Sequence, residues 1–200
     1  QWFPDTFDMV LLDAPCSMQN LRPTDAHPMR WISINEQQNL SMRQTRLLSS
    51  ALRAVKTGGQ VVYSTCTLSP EEDEQVLDAV LQEFGSQIEI VDVSNKAIAP
   101  ALSEFNGKIL SPEIANGLRF WPFRYHTSGF FSALIKKKGD IGTNRLPAPD
   151  RAIENAGFFP LSEKEIVQLH TAMNDQHQVQ LEQLSAISKC ALFKKNKKIF

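Results

Sequence analysis

The amino-acid sequence predicts an α/β fold: a mainly parallel sheet with helices packed on its faces. Two observations carry this. Apolar, β-rich runs alternate with amphipathic helical stretches over residues 7–93, and the linkers between them are only a few residues long, the pattern of βαβ units. Ligands in such sheets bind beyond the carboxyl ends of the strands. The residues that follow each strand are therefore the first place to look for chemistry.

The elements follow in order. Residues 7–12 (FDMVLL) form a short apolar run stopped by Asp13-Ala14-Pro15, which reads as a buried strand ending in a loop. Over 35–56, Leu40, Leu47, Leu48, Ala51, Leu52 and Val55 recur at helical spacing, and Gly58-Gly59 supplies the stop. Residues 60–63 are β-rich and lead into Ser64-Thr65-Cys66-Thr67. Ser69 as N-cap, Pro70 at the first helical position and Glu72 two further on start a second helix, which should run to about Phe84. Residues 88–93 and 129–136 are further strands, the latter after the aromatic stretch Phe120-Trp121-Pro122-Phe123. Gly, Asn, Pro and Asp then collect as far as Asp150, so the expected division is a domain over 1–138, a linker over 139–149 and a small α+β module over 150–200. In that module a helix over 162–173, capped by Ser162 with Glu165, precedes a β-like end at 190–193. A unit of that size is too small to be secure alone and is expected to lean on the first domain or to continue further. The opening Gln1-Trp2-Phe3-Pro4 has neither an initiator Met nor a leader pattern, and reads as part of a longer protein.

Composition narrows the function classes. The 200 residues are 42% hydrophobic and 22% charged, as in ordinary globular chains. Twenty-one Lys+Arg against 22 Asp+Glu leave a net charge of -1, so no global positive field draws the chain onto a polyanion, and such a partner must meet a local patch. No apolar run approaches the roughly 18 residues of a membrane span. The 3 cysteines are too few and odd in number for a secreted disulfide framework, which points to a reducing compartment, the cytoplasm. A monomer is expected.

Cys16 and Cys66 both follow predicted strands, so the two thiols are placed to meet in one cleft. Cys66 also lies just before a predicted helix start, whose positive end would favour a thiolate, a good nucleophile for electrophilic carbon. The alternative is a buried structural cysteine, and Cys16 carries the same two readings. Asp13 is either a loop-capping acid or a proton-handling group beside the thiols. No metal site is expected, since the cysteines lack C-x-x-C spacing and His27, His126, His170 and His177 are scattered. Cys190, in a β-like context, reads as a core residue.

Leu12-Asp13-Ala14-Pro15-Cys16-Ser17, followed by the run from Gly58-Gly59 through Val62-Tyr63-Ser64-Thr65-Cys66-Thr67 to Glu72, resembles the paired DAPCS and GGxxVYSTCTxxxxE signatures of the Sun-family RNA 5-methylcytosine methyltransferases. Arg119-Phe120-Trp121-Pro122 and Gly129-Phe130-Phe131-Ser132-Ala133 resemble the segments that close the same catalytic domain, so the likeness covers about residues 7–138. Leu146-Pro147-Ala148-Pro149 and Phe159-Pro160-Leu161 are weakly similar to the start of the extra module of the RsmF-type ribosomal RNA members.

The resemblance implies the C-terminal half of a Rossmann-like S-adenosylmethionine-dependent sheet and an RNA substrate, ribosomal RNA ahead of transfer RNA. It makes Cys66 the nucleophile that adds to cytosine C6, turning C5 into an enamine carbon able to take a methyl group. Asp13 would hold or protonate N3, and Cys16 would serve the release step. Asp13 and Pro15 would border the cofactor, and Pro15, Ser17, Thr65, Arg22 and Arg119 the RNA. An unpaired or flipped cytosine is required. Arg30, Trp31 and Arg124 are further candidates for phosphate or stacking contacts, and Lys194, Lys195, Lys197 and Lys198 for an RNA-facing patch, against the plain reading of solvated surface.

Three departures from the family pattern stand out. Met18 replaces a frequent Gly after the PCS, the closing segment reads Thr127-Ser128-Gly129-Phe130-Phe131, and no Gly-rich cofactor loop precedes Phe7. The first half of the sheet would then lie upstream, and these 200 residues alone would be inactive. Two other readings remain open: Cys16 as the nucleophile, as in DNA cytosine methyltransferases whose attacking cysteine follows a proline, and a noncatalytic RNA-binding or ribosome-assembly factor that keeps the fold.

Overall fold

The computed structural model describes residues 3–20, 24, 28, 31–93, 98–142, 157–178, 192–195, 198 and 199. The chain divides into two compact units, Gln1–Pro147 and Ala148–Phe200.

In the first unit, strand β1 (Phe7–Asp13) is followed by helix α1 (Ile34–Ala54), strand β2 (Val55–Thr65), helix α2 (Glu74–Phe84) and strand β3 (Ile88–Ile90). Short strands β4 (Ala99–Pro100), β5 (Glu104–Phe105) and β6 (Lys108–Ile109) lead to β7 (Leu118–Phe120), the one-turn helix α3 (Pro122–Tyr125) and the long strand β8 (Phe130–Lys137). The main sheet has the order β1-β2-β8-β7-β4, with β3 also paired to β8. Among the described residues only β1 and β2 pair in parallel; β8 runs antiparallel to β2, β3 and β7. The sheet is thus mixed rather than mainly parallel. Both β2 and β3 run against β8, so they point the same way, as βαβ units require, but β8 is inserted between them.

Helix α1 starts where Ser33 accepts a hydrogen bond from the Glu36 amide, and it buries Gln44, Leu48, Ala51 and Leu52, one stripe at helical spacing. It ends at Ala54, before the glycines. The last turn's Arg53 and Ala54 carbonyls accept the Asp5 and Thr6 amides, at 3.0 and 2.8 Å, which satisfies groups a helix end otherwise leaves orphaned. Gly58-Gly59 lies inside β2, where the register against β1 slips between Phe7 and Met9. A Cβ on Gly59 would fall 2.6 Å from the Asp8 carbonyl oxygen, so the slip demands glycine there.

Among the described residues β1 stands at the end of the sheet order and is not buried. Val10 and Leu12 pack against the core, whereas Met9 and Leu11 are 64% and 74% exposed. A run apolar on both faces reads as buried, but α1 packs against β1 and leaves Met9 and Leu11 exposed. Strand β8 shows the opposite, strict alternation, burying Phe131, Ala133, Ile135 and Lys137. The buried Lys137 ammonium is held by Asp5 and the Val55 carbonyl.

Helix α2 begins at Glu74, after a turn over 70–73. Ser69 does not cap it; its hydroxyl donates to Glu71 and accepts from Gln37. The helix amino end is instead tied down by Arg119, whose guanidinium donates twice to the Glu74 carboxylate, at 2.6 and 2.5 Å, and once to the Leu68 carbonyl, at 2.9 Å. Arg119 is 1% exposed.

In the second unit, β9 (Phe159–Pro160), α4 (Glu163–His177), β10 (Phe193–Lys195) and β11 (Lys198–Ile199) form a small three-stranded sheet, ordered β11-β10-β9, and a helix. Ser162 and Glu165 make the expected capping box. The strand begins at Phe193, later than the sequence places it, and Cys190 lies outside the described residues. Among the described residues no helix is long and apolar enough to cross a membrane.

The Arg119–Glu74 pair yields a stability test. Glu74→Leu strands a buried guanidinium and should cost about 3–5 kcal/mol, read from urea unfolding. Adding Arg119→Met should recover much of that loss. An unchanged unfolding midpoint in the single variant would show that the pair contributes nothing.

Candidate active site

Because β1 and β2 are parallel neighbours, the chain leaves both at the same edge of the sheet. Asp13 stands opposite Ser64 in register, and the Ala14 amide donates to the Ser64 carbonyl at 2.9 Å, extending the ladder one step. Three residues after Asp13 and two after Ser64 the loops present Cys16 and Cys66, whose Sγ atoms are 2.9 Å apart. Both are free thiols and partly exposed. The cleft expected from strand order alone brings the two cysteines together.

The carboxylate of Asp13 is exposed at the end of β1 and accepts from Ser64 Oγ at 3.4 Å. Pro15 is exposed as well. Three of the residues expected to touch RNA are placed otherwise. Arg119 is consumed by Glu74 and the Leu68 carbonyl and has no face left for a phosphate. Thr65 is fully buried and donates to Asp73 at 2.6 Å. Ser17 is 6% exposed, its amide donating to Glu72 and its hydroxyl to Thr67. These residues build the site from behind. Arg22 and Arg30 lie outside the described residues. Trp31 is exposed, and Arg124 sits beside the Tyr125 ring. Lys194 pairs with Glu165 and Lys195 lies over the Phe158 ring, so both are engaged within their own unit.

Behind the cysteines lies a row of acids, Glu72, Asp73 and Glu74, all fully buried. Arg119 answers the charge of Glu74 directly but stands 3.9 Å from Asp73. Burial, set against the Thr65 hydrogen bond and with Glu74 adding to it, drives the Asp73 carboxyl well above the ordinary carboxylate range, toward its neutral form. Glu72 accepts from the Ser17 amide and from Gln44 Nε2, each at 2.9 Å, and Gln44 Nε2 also reaches the Pro15 carbonyl at 2.9 Å. On the other side, Asn20 accepts the Leu68 amide at 2.8 Å and its carbonyl accepts the Gly129 amide at 3.0 Å. Sequence reasoning missed Gln44, Glu72 and Asn20 as site builders. Gln44 did leave a signal, as a polar residue four positions before Leu48 on the apolar stripe of α1.

Burial pushes the Cys16 thiol up to about 12, and its hydrogen bond with Cys66 adds to the rise. Helix α2 begins more than a turn beyond Ser69, so the positive helix end that the sequence sets beside Cys66 lies further along the chain. Met18, where glycine is frequent in the resembling family, adopts φ +56°. That is left-handed backbone, which a side chain occupies at a cost. Among the described residues no group of three or more His, Cys, Asp or Glu is arranged to hold a metal.

Two measurements follow. Met18→Gly removes the strain of the left-handed backbone and should raise the unfolding free energy by about 1 kcal/mol; a loss would mean that the Met side chain contributes more by contact. In the unfolded chain a thiol ionises near its ordinary value, roughly 8.5, whereas folded Cys16 holds its proton toward about 12. The unfolded state therefore gives up this proton first, so the contribution of Cys16 to stability is complete below that ordinary value and declines as pH climbs toward about 12. Its alkylation by iodoacetamide in the folded protein should still be accelerating at about pH 10, where in urea it has levelled off.

Residues 1–136 match the family model described as 16S rRNA methyltransferase RsmB/F. The ribosomal RNA small subunit methyltransferase F of Aeromonas hydrophila is 35% identical over 165 residues, 82% of this chain and 33% of the relative. The tRNA (cytosine(49)-C(5))-methyltransferase of Pyrococcus abyssi is 37% identical over 135 residues, 68% of this chain and 43% of the relative. Among solved structures, a methyltransferase homolog protein from Pyrococcus horikoshii superposes with a TM-score of 0.56 at 39% identity, covering 66% of this chain and 39% of that one. The chain spans about a third of the length of the ribosomal RNA relatives it matches. The expected Rossmann-like methyltransferase sheet agrees with these neighbours. With its two signature loops and its mixed sheet, the chain belongs to the RsmB/F family of RNA methyltransferases.

Proposed function

We propose that the protein methylates C5 of a cytosine in RNA, ribosomal RNA first, through a covalent adduct between Cys66 and cytosine C6. The observation that carries this reading is the meeting of Cys16 and Cys66 at 2.9 Å on the carboxyl edge of two parallel strands. Ribosomal RNA is favoured over transfer RNA because the likeness to the ribosomal RNA enzyme extends over 165 residues, past the sheet, whereas that to the transfer RNA enzyme covers 135.

S-adenosylmethionine would supply an activated methyl group. Asp13 and Pro15, exposed at the end of β1, fit its border, the carboxylate by charge toward a cationic sulfonium. Asp13 and Pro15 form one border of such a site, and the 200 residues alone are proposed to be inactive.

The chain's own residues then divide the work. The Cys66 thiolate forms a bond to C6 while Asp13 holds or protonates N3, and the C5–C6 electrons become available for methylation at C5. Loss of the C5 proton to a solvent base returns its bonding pair to the C5–C6 double bond and expels Cys66 as thiolate. Cys16, kept a thiol at neutral pH by its burial, is the hydrogen-bond donor to the departing sulfur. The same property disfavours Cys16 as the attacking group. The protein is proposed to work in the cytoplasm as a monomer.

Trapping tests this division. In the full-length protein, Cys16→Ala should accumulate a covalent protein–RNA species on a denaturing gel, and Cys66→Ala should abolish it. An adduct that survives Cys66→Ala but not Cys16→Ala would make Cys16 the nucleophile. RNA binding with no adduct in any variant would favour a noncatalytic RNA-binding or ribosome-assembly factor.

A further inference from the structure

Glu72 lies in the 66–73 connection that carries Cys66, and its side chain bonds across to the Cys16 loop. Its buried carboxylate accepts the amide of Ser17, the residue after Cys16. Its own backbone carbonyl accepts the Tyr63 hydroxyl at 2.6 Å, fixing Glu72 to the end of β2, from which Cys66 projects. Gln44, fully buried on α1, completes the bridge by donating to both the Glu72 carboxylate and the Pro15 carbonyl. The Cys16 loop is therefore held on both sides, at Pro15 by Gln44 of α1 and at Ser17 by Glu72 of the connection that carries Cys66. One oxygen on each, Gln44 Oε1 and Glu72 Oε1, is buried without a hydrogen-bond partner. Two unsatisfied buried acceptors cost stability, and a pair required only for packing would be better served by apolar side chains.

We propose that Glu72 is a positioning residue, with Gln44 as its partner: together they clamp the Cys16 loop so that its thiol is held against Cys66. This deepens the two-thiol reading and rests on it for its catalytic meaning, but the clamp itself is a property of the thiol geometry. Its failure would let the Cys16 loop drift while the sheet behind it stayed folded. Neither side chain touches the reacting atoms.

The test reads the distance between the thiols and does not depend on methyl transfer. With Cys190→Ser, and any cysteine outside these 200 residues likewise replaced, Cys16 and Cys66 are the thiols that react. Oxidised dithiothreitol then takes up two electrons as the two thiols lose their protons and join, and the equilibrium with that reagent gives their effective concentration. Glu72→Leu should lower it about tenfold or more, while Glu72→Gln, which keeps a carbonyl acceptor for the Ser17 amide, should stay near the parent. Gln44→Met, which leaves Glu72 in place, should also lower it, and provides the reading if Glu72→Leu does not fold. Circular dichroism and thermal unfolding establish which variants keep the fold. A folded Glu72→Leu or Gln44→Met with unchanged effective concentration overturns the clamp. Equal losses in Glu72→Leu and Glu72→Gln overturn the assignment to the Ser17 hydrogen bond. Loss of the clamp with retained trapping, or the reverse, separates this inference from the proposed reaction.

Discussion

The buried pair of Arg119 and Glu74 is the constraint on which the site depends. Three acids follow one another into the interior at 72–74, and one guanidinium answers the last of them with two hydrogen bonds while spending a third on the Leu68 carbonyl. Replacing such a pair by apolar side chains is often neutral or stabilising, so its value here lies in geometry. It fixes the first residue of α2 and the carbonyl two positions past Cys66 to the same strand, β7. The loop that bears Cys66 is thus pinned at both ends before any contact with the other cysteine is made.

The two cysteine loops are held by different means. The Cys66 loop is short, and its neighbours Thr65 and Thr67 are buried and bonded to Asp73 and Ser17. The Cys16 loop carries left-handed backbone at Met18 beside a residue bonded through both its amide and its hydroxyl. Unfavourable backbone persists where surrounding contacts over-determine it, and here it directs the chain toward Asn20, which ties the loop to Leu68 and Gly129. Burial also keeps Cys16 protonated well past neutral pH.

Much of this arrangement was legible in the sequence. Strand, loop and cysteine occur twice, and parallel pairing of β1 with β2 follows from the helix between them, so the meeting of Cys16 and Cys66 needed only local patterns and one topological rule. The capping box at Ser162 and Glu165 was legible for the same local reason. What local patterns do not carry is a partner. Nothing in residues 130–137 says that the strand enters antiparallel between two strands made much earlier. Arg119, set among aromatic residues, reads as a surface contact because its acid lies 45 positions away. The glycine pair at 58–59 resembled a helix stop, and only the slipped register against Asp8 reveals its use. Strand β1 looked buried because both its faces are apolar.

Strand β8 sits in the middle of the sheet, yet it is the last of that sheet to be made. Its final residue, Lys137, reaches Asp5 across 132 positions of chain. Until that length has left the ribosome, β2 has β1 on one side and nothing on the other, and the closing segment that meets Asn20 does not exist. The strand that closes the sheet beside the two-cysteine cleft is therefore made only after both thiols.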